Sequence, residues 1–361
     1  MTELANDAIA SSNDTIIVTR ETSRSAPTAL LENVIKPFGN LLVRPGKPQP
    51  AGSPELEPHK SVYEDCEVKH RHVAGIHIYD ITALSKAHGA HKEDTLLSSR
   101  PQSPVKQIYY FAGGGFQSPP SKEHWKLCAT LATAGSRMGY GGHAAVSIVS
   151  YPLAPNSPAS AALPVLEEMY HALLKQESDE EVIFAGDSAG ANVAISLLLR
   201  VLNTNSNAPA PRQVLLVSPP ADLRNINPEM KEVEKHDPIL TVGFVKSVAR
   251  AWCGGGRNGF EKPLPPGASQ YDDPQVSPLL ADVSVLARRG IQIHGVVGLY
   301  DVLSPDAILF RQKLNAAGVA GRWLEWEKQM HCFPLAAAYG LSEGKKAVEW
   351  IIDTLGLRSE P

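Results

Sequence analysis

From residue 105 onward, short apolar runs alternate with longer stretches of helical period. Gln107–Phe111, Ala145–Tyr151, Glu181–Ala185, Gln213–Ser218, Ile291–Gly298 and Arg322–Glu327 are apolar enough to be strands buried on both faces. Between and after them, 123–137, 159–175, 189–202, 306–317 and 343–355 carry apolar residues at helical spacing. This alternation predicts a mostly parallel sheet with helices on both faces. Upstream, Val62–Val68 and Gly75–Ile81 predict an antiparallel pair, which brings the expected sheet to eight strands.

The alternation breaks at 221–277, a segment too long for a plain connection, with one helix expected at Val242–Trp252. Gly254, Gly255, Gly256, Pro263, Pro265 and Pro266 follow that helix. Near the N-terminus, 26–43 predicts a short amphipathic helix that gathers Leu30, Leu31, Val34 and Ile35. Pro45, Pro48, Pro50, Pro54 and Pro58 make the next stretch an extended linker. Residues 1–25 are polar and expected to be disordered, and 83–104 reads as a polar loop. The expected organisation is therefore a core at 61–220 and 278–361, an insertion at 221–277, and an N-terminal segment with its linker at 26–60.

Composition narrows the function class. A net charge of −4 gives no electrostatic reason to expect nucleic acid as a partner. Cys66, Cys128, Cys253 and Cys332 are widely spaced without a C-x-x-C pair, which suits a reduced, cytoplasmic protein and indicates no zinc site. His70 and His72 lie two apart on an expected strand but lack a third ligand, so no metal is expected. No apolar run reaches the ~20 residues of a membrane span, and the first twenty residues lack a secretory pattern.

The candidate chemistry centres on Gly186-Asp187-Ser188-Ala189-Gly190, a G-x-S-x-G sequence between an expected strand and an expected helix. That setting pushes Ser188 to the apex of a sharp turn. It also aims the Ala189 N–H, at a helix N-terminus, toward a developing oxyanion. Tyr109-Tyr110-Phe111-Ala112-Gly113-Gly114-Gly115-Phe116 places three glycines after another strand, where bare backbone N–H groups can serve the same purpose. A phosphate loop is the rival use, but neither G-x-G-x-x-G nor a P-loop lysine follows. Asp301 ends a strand, with Asp306 as its nearest rival, and His331 lies in the loop after the last strand. In the order nucleophile, acid, histidine, only His331 among the twelve histidines follows both Ser188 and Asp301. His294 falls in mid-strand, as a packed residue, and His236 in the insertion.

These motifs, with Tyr151-Pro152-Leu153-Ala154-Pro155 and Asp273-Pro274-Gln275-Val276-Ser277-Pro278-Leu279, resemble the hormone-sensitive-lipase-like branch of the α/β-hydrolases over residues 60–355, and fungal esterase-like members in particular. The resemblance implies an α/β-hydrolase fold with a helical cap built from the N-terminal segment and the insertion. It implies hydrolysis of a small-molecule carboxylic ester by Ser188, His331 and Asp301, without metal or organic cofactor. Gly113, Gly114 and Ala189 would supply the oxyanion hole. Phe116, Phe244, Val248 and Trp252 are candidate pocket walls, which suits an apolar ester of short or medium acyl chain, and a secondary-metabolite ester fits the fungal likeness. Alternatives are a non-catalytic ligand-binding protein on the same scaffold, and an amidase or acyltransferase using the same three residues. Two departures stand out: Ala112 replaces the usual His before the glycines, and Pro152 and Asn156 replace an Arg and a Glu. Oligomeric state is not legible.

Overall fold

The computed structural model describes residues 14–84, 106–134, 144–175, 182–254 and 270–358. The expected disorder at 1–13, the loop at 85–104, and Gly255, Gly256, Pro263, Pro265 and Pro266 of the insertion lie outside these residues.

Among the described residues nine strands form one sheet: β1 (Ile16–Glu21), β2 (Cys66–Val73), β3 (Ile76–Ala83), β4 (Lys106–Phe111), β5 (Ala144–Ser150), β6 (Val182–Asp187), β7 (Gln213–Val217), β8 (Gln292–Gly298) and β9 (Gly321–Trp326). Their order is β1-β9-β8-β7-β6-β4-β5-β3-β2. Only the pairs β2–β3 and β3–β5 are antiparallel. The helices in chain order are α1 (Ala26–Ile35), α2 (Gly39–Leu42), α3 (Lys122–Thr133), α4 (Ala159–Leu174), α5 (Ala189–Thr204), α6 (Met230–Glu234), α7 (Val242–Trp252), α8 (Ser284–Arg288), α9 (Ser304–Ala316) and α10 (Ser342–Thr354).

Strands β4 to β9 are buried on both faces along most of their length, as strands of parallel sheets are. Along β4, Tyr109 and Phe111 enter one core with Phe184 of β6 and the apolar residues of α4, α5 and α9. Ile108 and Tyr110 enter the other, with Cys128 and Leu131 of α3 and Ile351 of α10. The alternation of successive side chains thus builds two cores from one strand.

Three expectations need correction. The sheet has nine strands, not eight, because residues expected to be disordered form β1, paired parallel to β9. Ile16 is buried while Ile17 is 50% exposed, and Asn315 Oδ1 accepts the N–H groups of Thr15 and Ile16 (both 3.0 Å). The expected strand at 62–68 begins at Cys66, because Lys60–Glu64 is a 3₁₀ turn. Third, the amphipathic helix expected over 26–43 is shorter, since α1 ends at Ile35, and of the four gathered residues Leu31 and Ile35 pack against the core. The buried residues of α1 are Thr28 and Glu32, held by Glu343 of α10 and by Arg24 respectively. Leu30 and Val34 are exposed, while Leu31 and Ile35 face a cavity.

The insertion between β7 and β8 carries α6 and α7, and α7 spans the expected Val242–Trp252. Asn192 of α5 anchors both ends of the insertion, donating to Pro220 O and Val276 O (2.9 Å each).

Candidate active site

The turn from β6 into α5 is steric in origin. A Cβ on Gly190 would lie 1.9 Å from Phe111 O, and one on Gly186 would lie 2.7 Å from the Gly190 backbone. Only glycine at both positions lets the strand, the helix and the neighbouring β4 end approach this closely. Ser188 is left at φ 49°, ψ −127°, with its N–H donated to Val217 O (2.8 Å). Among the described residues seven non-glycine residues have positive φ, and four of them, Phe116, Ser188, Ser218 and Cys332, surround this turn. Such conformations cost of order 1–3 kcal/mol each and persist where packing imposes them.

His331 lies between Ser188 and Asp301. Its Nε2 is 2.9 Å from Ser188 Oγ, and its Nδ1 is 2.8 Å from Asp301 Oδ2. An ionised carboxylate only accepts, so Nδ1 carries the ring proton and Nε2 is free to accept from the serine hydroxyl. Asp301 is fully buried, and its Oδ1 accepts the Leu303 N–H (2.9 Å). Burial opposes the imidazolium form of His331. The adjacent Asp301 charge and its hydrogen bond outweigh burial and raise the His331 pKa well above its ordinary value. The rival acid, Asp306, lies on α9 and accepts from Asn227 Nδ2 instead (2.8 Å).

Behind the serine, Asp187 joins three loops. Its Oδ1 accepts from Tyr110 Oη (2.7 Å) and from the Gly113 N–H (2.9 Å). Its Oδ2 accepts from His124 Nε2 (3.1 Å) and from Cys332 Sγ (3.6 Å). His124 Nδ1 accepts the Ser121 N–H (2.9 Å), which leaves the ring proton on Nε2. Burial pushes the Asp187 pKa up, but His124 and then the other donors bring it below the usual carboxylate value.

This bond corrects the expected oxyanion set. Gly113 gives its N–H to Asp187 and has no free donor to offer. Among the described residues, the Gly114 and Ala189 N–H groups meet no acceptor. Ala189 is the first residue of α5, where helix geometry provides none.

The loop's other supports are Tyr151, whose hydroxyl donates to Ala112 O (2.8 Å), and Ala154, whose N–H donates to Phe116 O (2.8 Å). Asn156 reaches instead to Gln49 O (2.7 Å) in the linker.

Ser188, His331, Gly114 and Ala189 open into a cavity of about 710 Å³. Its apolar walls include Phe116, Phe244, Val248, Leu31, Ile35 and Leu335. Trp252 is not a wall. It is 1% exposed and stacks behind Phe116, with ring centroids 4.6 Å apart and planes 9° apart.

His294, His236 and His70 fall outside the site. His294 is buried in β8 and accepts the Arg322 N–H (3.1 Å); burial, then Arg322, push its pKa down to about 4. His236 stacks on Tyr300. His70 is hydrogen-bonded to His77 (2.8 Å), and among the described residues no group of three or more His, Cys, Asp or Glu is placed to hold a metal ion.

Sequence reasoning missed Asp187, His124 and Tyr110. Asp187 was visible as a carboxylate beside the nucleophile in a run bound for the core. The other two join it only through the packing of α3 and β4.

Comparisons with known proteins agree with this architecture. A family model described as the alpha/beta hydrolase fold matches residues 108–335. An esterase of Acinetobacter venetianus is 29% identical over 242 residues, 65% of this chain and 72% of that protein. An acetyl-hydrolase of Streptomyces hygroscopicus is 27% identical over 245 residues, 68% of this chain and 73% of that one. The crystal structure of a hormone-sensitive lipase from a metagenome library superposes with a TM-score of 0.66 at 20% identity, covering 92% of this chain and 97% of that one. At that identity the superposition speaks for the fold alone.

Proposed function

The chain belongs to the α/β-hydrolase-fold family, and from that premise we propose that it is a serine hydrolase of carboxylic esters, with Ser188 as nucleophile, His331 as general base and acid, and Asp301 as the orienting acid. The observation that carries this reading is the unbroken hydrogen-bond chain Asp301–His331–Ser188 at the floor of an apolar cavity. The names of the two relatives, an esterase and an acetyl-hydrolase, support the same reaction class.

In this reading His331 Nε2 takes the Ser188 proton as Oγ attacks the ester carbonyl. Asp301 holds the Nδ1 proton and stabilises the imidazolium. The N–H groups of Gly114 and Ala189 stabilise the oxyanion. His331 then protonates the leaving alcohol, and water repeats the sequence on the acyl-enzyme.

In this reading the described residues of 26–60 and 221–277 form the cap, since Leu31, Ile35, Phe244 and Val248 wall the cavity. These apolar walls suit an apolar ester of short to medium acyl chain. The likeness to fungal esterases extends the proposal to an ester of secondary metabolism.

The test is Ser188→Ala. Its kcat on p-nitrophenyl acetate should fall by a factor on the order of 10⁴ or more with the fold intact. A serine-directed phosphonate should label the wild type at Ser188 alone. Labelling elsewhere, or an active Ser188→Ala enzyme, refutes the assignment.

A further inference from the structure

Asp237 lies between α6 and α7 in the insertion, and its carboxylate is buried. Oδ1 accepts the N–H groups of Ile239 (2.8 Å) and Leu240 (2.9 Å). Oδ2 accepts the N–H of Val302 (2.8 Å). Ile239 and Leu240 line the cavity. Val302 directly follows Asp301, whose own oxygens hold the Leu303 N–H and the His331 ring. One carboxylate therefore bonds to a wall of the cavity with one oxygen and to the acid-bearing loop with the other.

Closing the 237–240 turn does not require this arrangement. A single side-chain oxygen suffices for such a turn, and a turn aspartate ordinarily faces water. Here a second carboxylate is buried close to Asp301, and among the described residues no cation pairs with it. On its own segment, His236 is stacked on Tyr300 and Glu234 accepts the Val242 N–H. The guanidinium of Arg24 lies over the Tyr300 ring and pairs with Glu32. Asp301 is the charged group that faces Asp237 from the acid loop. Burial, and then the Asp301 charge, push the Asp237 pKa up to about 6, against the pull of its three backbone donors. Two like charges held this close in a buried site are costly, and an arrangement of that kind points to a role beyond turn closure.

We propose that Asp237 is a positioning residue that clamps the acid loop to the cavity wall, so that seating of the insertion over the substrate and alignment of Asp301 with His331 are one event. This assignment rests on the triad reading above. It also carries an electrostatic consequence. A negative charge beside the Asp301–His331 pair favours the imidazolium, so losing that charge lowers the pH at which His331 becomes a base.

The experiment compares wild type, Asp237→Asn and Asp306→Asn on p-nitrophenyl acetate across pH. Asp306 is a comparably buried carboxylate that holds Asn227, and among the described residues its side chain makes no hydrogen bond to residues 301–303, so its variant controls for lost stability. Asp237→Asn should lower kcat by about tenfold, the scale of a misplacement rather than of a lost catalytic group. KM should change little, and the acid limb of the profile should move to lower pH. Asp306→Asn should alter neither kcat nor the limb. If Asp237→Asn does not fold, Asp237→Ser keeps an oxygen for the turn and is read by the same criteria. A kcat and an acid limb indistinguishable from those of Asp306→Asn overturn the clamp. The two readings fail separately. An active Ser188→Ala removes the triad and the clamp with it, whereas a dead Ser188→Ala beside an unaltered Asp237 variant removes the clamp alone.

Discussion

Asp187→Asn tests whether the glycine loop is held from beneath rather than by a side chain at 112. The carboxylate is 2% exposed and takes two donors on each oxygen. An Asn oxygen in place of Oδ1 could still accept from Tyr110 and Gly113. Its amide hydrogens would then meet the Nε2–H of His124. That imidazole cannot shift its proton freely, because Nδ1 already accepts the Ser121 N–H. The change removes one bond to a charged acceptor and leaves a buried donor facing another donor, a loss of about 1.5–3 kcal/mol. Thermal melting should show this as a drop of a few degrees. Catalysis should fall as well, since Gly113 is the anchor for Gly114. Removing an oxyanion donor outright costs about 10²–10³ in kcat. Here the donors remain and only their alignment loosens, so kcat on p-nitrophenyl acetate should fall by about 10–10², with a smaller change in KM. A variant that melts early yet keeps wild-type kcat refutes the reasoning, because Asp187 would then support the fold without aligning the loop.

Two further outcomes follow from the geometry. His331 acts as a base only when neutral, and its pKa is raised well above 6.5. The pH–rate profile of kcat/KM should therefore rise through a midpoint on the alkaline side of an ordinary histidine, and a midpoint below 6.5 would contradict the raised value. Phe244→Ala and Val248→Ala should change acyl-chain preference more than acetate turnover across a series of p-nitrophenyl esters. Trp252→Ala, which undercuts Phe116 from behind, should instead cost about 3–5 kcal/mol of stability, read by chemical denaturation.

The parallel core was legible because burial on both faces leaves an unmistakable record in sequence, an apolar run such as Ile183–Ala185 with no polar interruption. Helix α7 was legible for the opposite reason, since only one of its faces is covered and its apolar residues recur at helical spacing. The edge strand β1 was not. Its Ile16-Ile17-Val18-Thr19 run is β-branched, but it is short, half-exposed and preceded by polar residues. Its order comes from β9 and Asn315, about three hundred positions away. Helix α1 was legible in part. Its apolar residues predicted the helix, and Leu31 and Ile35 do pack against the core, but Thr28 is held by Glu343, about three hundred positions away and outside any local pattern.

The site divides along the same line. Ser188, Asp301 and His331 were legible because chain order and strand ends restrict where they can stand, and the structure brings the three together. The supports were illegible because each acts across the fold. Ala112 shows the consequence. Read as sequence, it is a missing side chain in a motif that usually carries His. In the fold, Ala112 is buried, its carbonyl accepts from Tyr151, and the next N–H is held by Asp187. Asp187 in turn is held by His124, an imidazole supplied from α3 rather than from position 112. The loop's alignment thus depends on backbone groups of residues 112 and 113 and on a buried carboxylate that also contacts Cys332, the neighbour of His331. Glycine loop, nucleophile turn and histidine loop meet at that carboxylate. Rigidity at such a site comes from satisfied buried hydrogen bonds, and any side chain that completes the set can serve, whichever element delivers it.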